Sequence, residues 1–136
     1  MDTIFPSSTI KYRAITNPVL QHAAYFGIIA AENAIAILCW IGAAVLVLKL
    51  GTRAVIFNRA KSVAIAGLTL GILLWLTGFM VIGGEWFGMW MSQQWNGVAS
   101  ASRSVMVIFG VLIFLVLPDM ELDPAEQRLV RRFGLR

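Results

Sequence analysis

Residues 63–82 form an unbroken run of twenty uncharged, mostly apolar residues, and nothing else in the chain restricts its fold as severely. At 1.5 Å per residue, about 20 helical residues cross the roughly 30 Å hydrocarbon core of a bilayer. Backbone polar groups in lipid must bond internally, so such a run reads as a transmembrane helix. Two further apolar stretches flank it, over 19–48 and 98–117. The first is broken only by Gln21, His22, Glu32 and Asn33, with Asn17 placed to cap it and Pro18 at its start. The third begins with small residues and Arg103 before its apolar core.

Composition agrees with lipid as the solvent. Hydrophobic residues make up 59% of the chain and charged residues 13%, against about 25% charged in a soluble domain. The net charge of +4 comes from clusters at the ends of apolar runs, the pattern of membrane topology and not of a nucleic-acid surface. The first eighteen residues are polar and turn-rich and show no cleavable signal peptide. One cysteine, Cys39, excludes an intramolecular disulfide and reads as an inert small hydrophobe.

The segment 83–97, GGEWFGMWMSQQWNG, carries three of the five tryptophans and no lysine or arginine. Indole has an apolar body and one N–H, so such a cluster belongs at a membrane–water interface. Lysine and arginine counts set the orientation: four in 49–62 and four after 117, against one in 83–104 and two in 1–18. The expectation is a bacterial inner-membrane protein with linker 49–62 and tail 118–136 cytoplasmic, and loop 83–97 periplasmic. Residues 85–94 are expected to form an interfacial helix that places Trp86 and Trp90 on one face. Residues 124–133 read as a short amphipathic helix resting on lipid.

In lipid, helices approach closely through small residues. Gly67, Gly71 and Gly78 line one face of the second run, and Ala23, Gly27, Ala30 and Ala34 one face of the first; these stripes are expected to meet. Glu32 then lies about 180° from the alanine–glycine stripe at 100° per residue. A charged carboxylate at that depth costs of the order of 2.5–3.5 kcal/mol on insertion scales. Three roles stay open for it: a neutral interhelical hydrogen bond, a proton or ligand site, or contact with another protein's helix.

His22, Glu85 and Arg103 are the groups near the outer face that could do chemistry. A single histidine does not make a catalytic metal set or a bis-histidine haem site. Glu85 and Arg103 read as an ion pair or cap fixing the outer loop, or as the wall of a shallow headgroup or quinone pocket with Trp86 and Trp90; Trp95 is a further candidate functional or interface residue. No nucleophile–base pair, phosphate loop or metal-ligand cluster is present in the sequence. The reading is therefore no enzyme, no cofactor, no metal and no nucleic acid.

The motifs MDT-x-FP at the start, YRAI at 12–15, YFGIIAAE at 25–32, the 83–97 segment and Arg103 together resemble a bacterial family of predicted small integral membrane proteins of unknown function. The resemblance runs from about Met1 to Leu117. It implies membrane location and a shared outer loop, and no activity. It also implies another apolar segment upstream of the MDT-x-FP stretch, which would make the whole a four-helix bundle.

Taken together, the sequence predicts an all-α membrane protein with a single domain and three transmembrane helices, over about 19–48, 63–82 and 98–117, with a Trp-rich interfacial segment between the second and third. The expected partners are the lipid bilayer and other membrane subunits, with an accessory or assembly role in a larger complex. The alternative is a small transporter, channel or lipid- or quinone-binding module. A cysteine replacing Val55 is expected to react with impermeant thiol reagents from the cytoplasm only; periplasmic labelling would reverse the topology.

Overall fold

In the computed structural model, which describes residues 9–92, 94, 96–121 and 132, the chain forms three long helices. Helix α1 spans Pro18–Lys49, α2 spans Ala54–Trp86 and α3 spans Val98–Val116. All three are long and apolar enough to cross a membrane, and no strand occurs among the described residues. The start of α1 is built as the sequence implies: the Asn17 side chain accepts a hydrogen bond from the Val19 N–H at 2.9 Å, with Pro18 in the first turn.

The helix ends differ from the expected ones. The linker expected over 49–62 shrinks to residues 50–53, where the Thr52 hydroxyl donates to the Lys49 carbonyl at 2.8 Å. Helix α2 begins at Ala54 because charged Arg59 and Lys61 do not stop a helix; they only move its first two turns out of hydrocarbon. At its other end α2 runs past residue 82 to Trp86, and over Leu73–Trp86 it winds as a π-helix, closed by the Phe87 N–H donating to the Ile82 carbonyl. Bonding from i to i+5 turns each residue through less than 100°. Gly78 thereby drifts off the face shared by Gly67 and Gly71.

Three glycines set the packing of the inner half. A Cβ on Gly42 would lie 2.6 Å from both the Cα and the N of Ala64, so the α1 and α2 backbones touch there. Gly67 abuts Leu38 and Cys39, and Gly71 abuts Ile35 of α1 and Ile108 of α3. The α1 face in the interface is thus Ile35, Leu38, Cys39 and Gly42, spaced as one helical stripe. This corrects the expected pairing: Ala23, Gly27, Ala30 and Ala34 are exposed, Gly27 meets nothing within 4 Å, and Gly78 meets only Leu74 of its own helix. The α1 stripe lies in the outer half of the helix, and α1 barely touches the outer half of α2.

The start of α2 and the end of α3 are clamped together by polar groups. Lys61, only 6% exposed, donates to the Leu117 carbonyl at 2.6 Å and pairs with the Asp119 carboxylate at 2.5 Å. Asn58 exchanges hydrogen bonds with the Asp119 backbone, donating to its carbonyl at 2.9 Å and accepting from its N–H at 3.0 Å. The last carbonyls of a helix lack intrahelical partners and carry partial negative charge. A buried ammonium at Leu117 answers both needs, so Lys61 is a structural cap as well as a topology charge.

Two stability outcomes follow from this packing. Gly42→Ala should lower stability in detergent by about 1–3 kcal/mol through the backbone clash, whereas Gly27→Ala, in open space, should be neutral or slightly stabilising; thermal unfolding of the two variants checks the contrast. Lys61→Met should lose about 2 kcal/mol by stripping Leu117 and Asp119 of their partner, while Arg53→Ala, which breaks the exposed 3.5 Å pair with Glu121, should lose less than about 0.5 kcal/mol.

Candidate functional site

The end of the bundle where α2 passes into α3 is closed by a cap in which glycines admit side chains. A Cβ on Gly83 would meet Met89 Cε at 2.6 Å, and one on Gly84 would meet Val98 at 3.5 Å. Met89 therefore folds back against the end of α2, and its sulfur accepts from the Gly97 N–H at 3.2 Å. Gly88 turns the chain with φ +61°, a conformation that costs a residue with a Cβ roughly 1–2 kcal/mol. A 3₁₀ turn over Met89–Met91 follows. The expected interfacial helix over 85–94 is therefore absent: the Gly88 turn divides the segment, and Trp86 and Trp90 do not share a helical face. Both are about half exposed. Trp95 and nearly all of the 124–133 stretch lie outside the described residues.

The N-terminal segment is strapped onto this cap. Ile10 packs on Gly88. The guanidinium of Arg13 stacks 4.5 Å from the Trp86 ring, donates to the Trp86 carbonyl at 3.2 Å and donates to the Tyr12 hydroxyl at 3.0 Å. Gln21 ties the following residues to α1 by donating to the Ile15 carbonyl at 2.6 Å. Sequence reading placed Arg13 only among the topology charges and in the YRAI motif, because its partner is 73 positions away.

The other expected outer groups are not brought together. Arg103 is exposed and donates to Ser100 Oγ at 3.3 Å, one turn earlier on α3. Glu85 is exposed at the end of α2 and forms no ion pair with Arg103. The two leave that segment by different helices. His22 is exposed in the first turns of α1. Among the described residues no three His, Cys, Asp or Glu side chains gather.

Glu32 occupies a distinct setting. The level of Ile35, Gly71 and Ile108 lies about nine residues, or about 14 Å, from the Leu117 clamp along α3. Glu32 lies three residues outward of Ile35, about 4.5 Å further along α1. That puts the carboxylate near the middle of the candidate span Pro18–Lys49, just beyond the point where α1 parts from α2. It is half-buried on the edge of the packed face, not opposite it, because the interface centres on Leu38, Cys39 and Gly42. Among the described residues it makes no hydrogen bond or ion pair, so the interhelical bond considered from the sequence is not formed. Its neighbour Asn33, facing lipid, is satisfied within the helix by donating to the Ile29 carbonyl at 2.8 Å.

The motif residues MDT-x-FP through Arg103 and the membrane spans just described fall within a match to the description "predicted small integral membrane protein (DUF2165)" over residues 1–118. The chain belongs to that family. No curated protein and no solved structure matches it. The glycines of the 83–97 segment are thereby explained locally: Gly83, Gly84 and Gly88 are the positions where the cap needs no side chain.

Arg13→Ala should loosen the cap without unfolding the bundle. Amide exchange over 86–92 is expected to rise about tenfold, the worth of one charge-assisted hydrogen bond with a cation–π contact. Unchanged exchange would mean the strap contributes nothing to the cap.

Proposed function

We propose that this membrane protein is a non-catalytic accessory subunit that docks a neighbouring transmembrane helix against the outer half of α1. The observation that supports this reading is Glu32, a half-buried carboxylate inside hydrocarbon with no partner among the described residues. Such a group is costly in lipid unless another helix supplies a donor. The surrounding surface suits a helix: Tyr25 and Trp40, within about 80° of Glu32 around α1, are exposed by 62% and 78%. In this reading the protein sits in a bacterial inner membrane, with the Lys61 clamp cytoplasmic and the tryptophan cap periplasmic, as the positive residues require.

Purification from native membranes in mild detergent, with mass spectrometry of what accompanies the chain, tests the reading. A stoichiometric membrane partner is expected with the native chain and is expected to be depleted with Glu32→Gln, while the thermal stability of the isolated chain stays unchanged. A chain that leaves the membrane as a monomer, accompanied neither by another membrane protein nor by a second copy of itself, would refute it.

A further inference from the structure

Glu32 and Arg103 are both charged groups within the spans, and the helix contacts fix their relative depths. Ile35 of α1, Gly71 of α2 and Ile108 of α3 meet at one level. Helices α1 and α3 run in the same direction, since the start of α3 lies against the end of α2 at Gly84 and its end lies at Lys61. Glu32 is three residues outward of that level and Arg103 five, so they stand about 4.5 and 7.5 Å above it. Their depths differ by about 3 Å, within the reach of two long side chains.

Within one chain they do not meet. Arg103 points about 140° away from Ile108 at 100° per residue, and it is exposed, bonded only to Ser100. Glu32 lies about 60° from Ile35, at the rim of the packed face. The bilayer holds every copy of the chain in the same orientation, so a second copy presents its arginine at the depth of the first copy's carboxylate.

We propose that the helix docked at Glu32 belongs to a second copy of this chain, joined by reciprocal Glu32–Arg103 ion pairs between α1 of each copy and α3 of the other. This rests on the reading of the Glu32 edge as a helix-docking surface and names its occupant. A two-fold axis along the membrane normal makes the interface isologous, and one geometry forms two ion pairs that satisfy all four charges. Opposite charges neutralise each other where either alone would be costly in lipid. The alternative fate of Arg103, extension to lipid headgroups, leaves Glu32 without a donor.

Charge reversal in full-length chains carrying two different affinity tags tests this. Glu32→Arg or Arg103→Glu, each expressed alone, should weaken self-association about tenfold or more by native mass spectrometry in mild detergent. Co-expression of the Glu32→Arg copy with the Arg103→Glu copy should restore mixed dimers, because every contact again joins opposite charges. In a Cys39→Ala background, a Glu32→Cys copy and an Arg103→Cys copy should cross-link in native membranes, which reads the contact even if the reversed variants express poorly. Failure to cross-link, a monomeric native chain, or single reversals that dimerise normally would overturn the proposal. A monomer that still co-purifies with a different membrane protein in a Glu32-dependent way would overturn the second copy as occupant and leave the docking function standing.

Discussion

The contact between the α1 and α2 backbones at Gly42 and Ala64 is the constraint on which the arrangement depends. Leucine against leucine gains little in lipid, where the tails are equally apolar, so helices stay together only where main chains come close enough for dense dispersion contact. Gly42 gives that approach, Gly67 extends it to Leu38 and Cys39, and Gly71 brings in Ile108 of α3. Everything inward of Gly71 is tight. Beyond it α1 separates from α2, and its side chains face lipid or an absent neighbour.

Polar chemistry closes the two ends, by different means. At the inner end Lys61 and Asn58 reach the terminus of α3 and bond Leu117 and Asp119, which fixes how far α3 slides along α2. At the other end Arg13 stacks on Trp86 and donates to its carbonyl, so the segment before α1 is tied to the end of α2. Between these closures Glu32 is a carboxylate with no hydrogen bond or ion pair among the described residues. That mid-span carboxylate and the cost of leaving it unpaired in lipid carry the docking proposal.

Some of this was legible in the residues and some was not. The Asn17–Pro18 helix start could be read directly, since cap and first turn are adjacent in sequence. The three spans could be read because the bilayer imposes a length and a polarity on each. The inner start of α2 could not, because a lysine near a membrane edge reads as loop charge until its carbonyl partner, 56 residues away, is known. The stripe on α1 misled for a related reason: several faces of that helix carry small residues, and periodicity does not say which one finds another helix. The break at Gly88 was hidden by tryptophans spaced as on a helix.

The sequence by itself determined the solvent and where the three candidate spans lie, because hydrocarbon thickness acts on each segment separately. Tertiary structure alone decided which faces met, that Lys61 serves α3 and Arg13 serves Trp86, and that Glu32 is left at the rim of the bundle. Those outcomes depend on close approach between residues 22 to 73 positions apart. Such approach is set by which backbones can touch, and no single segment carries that information.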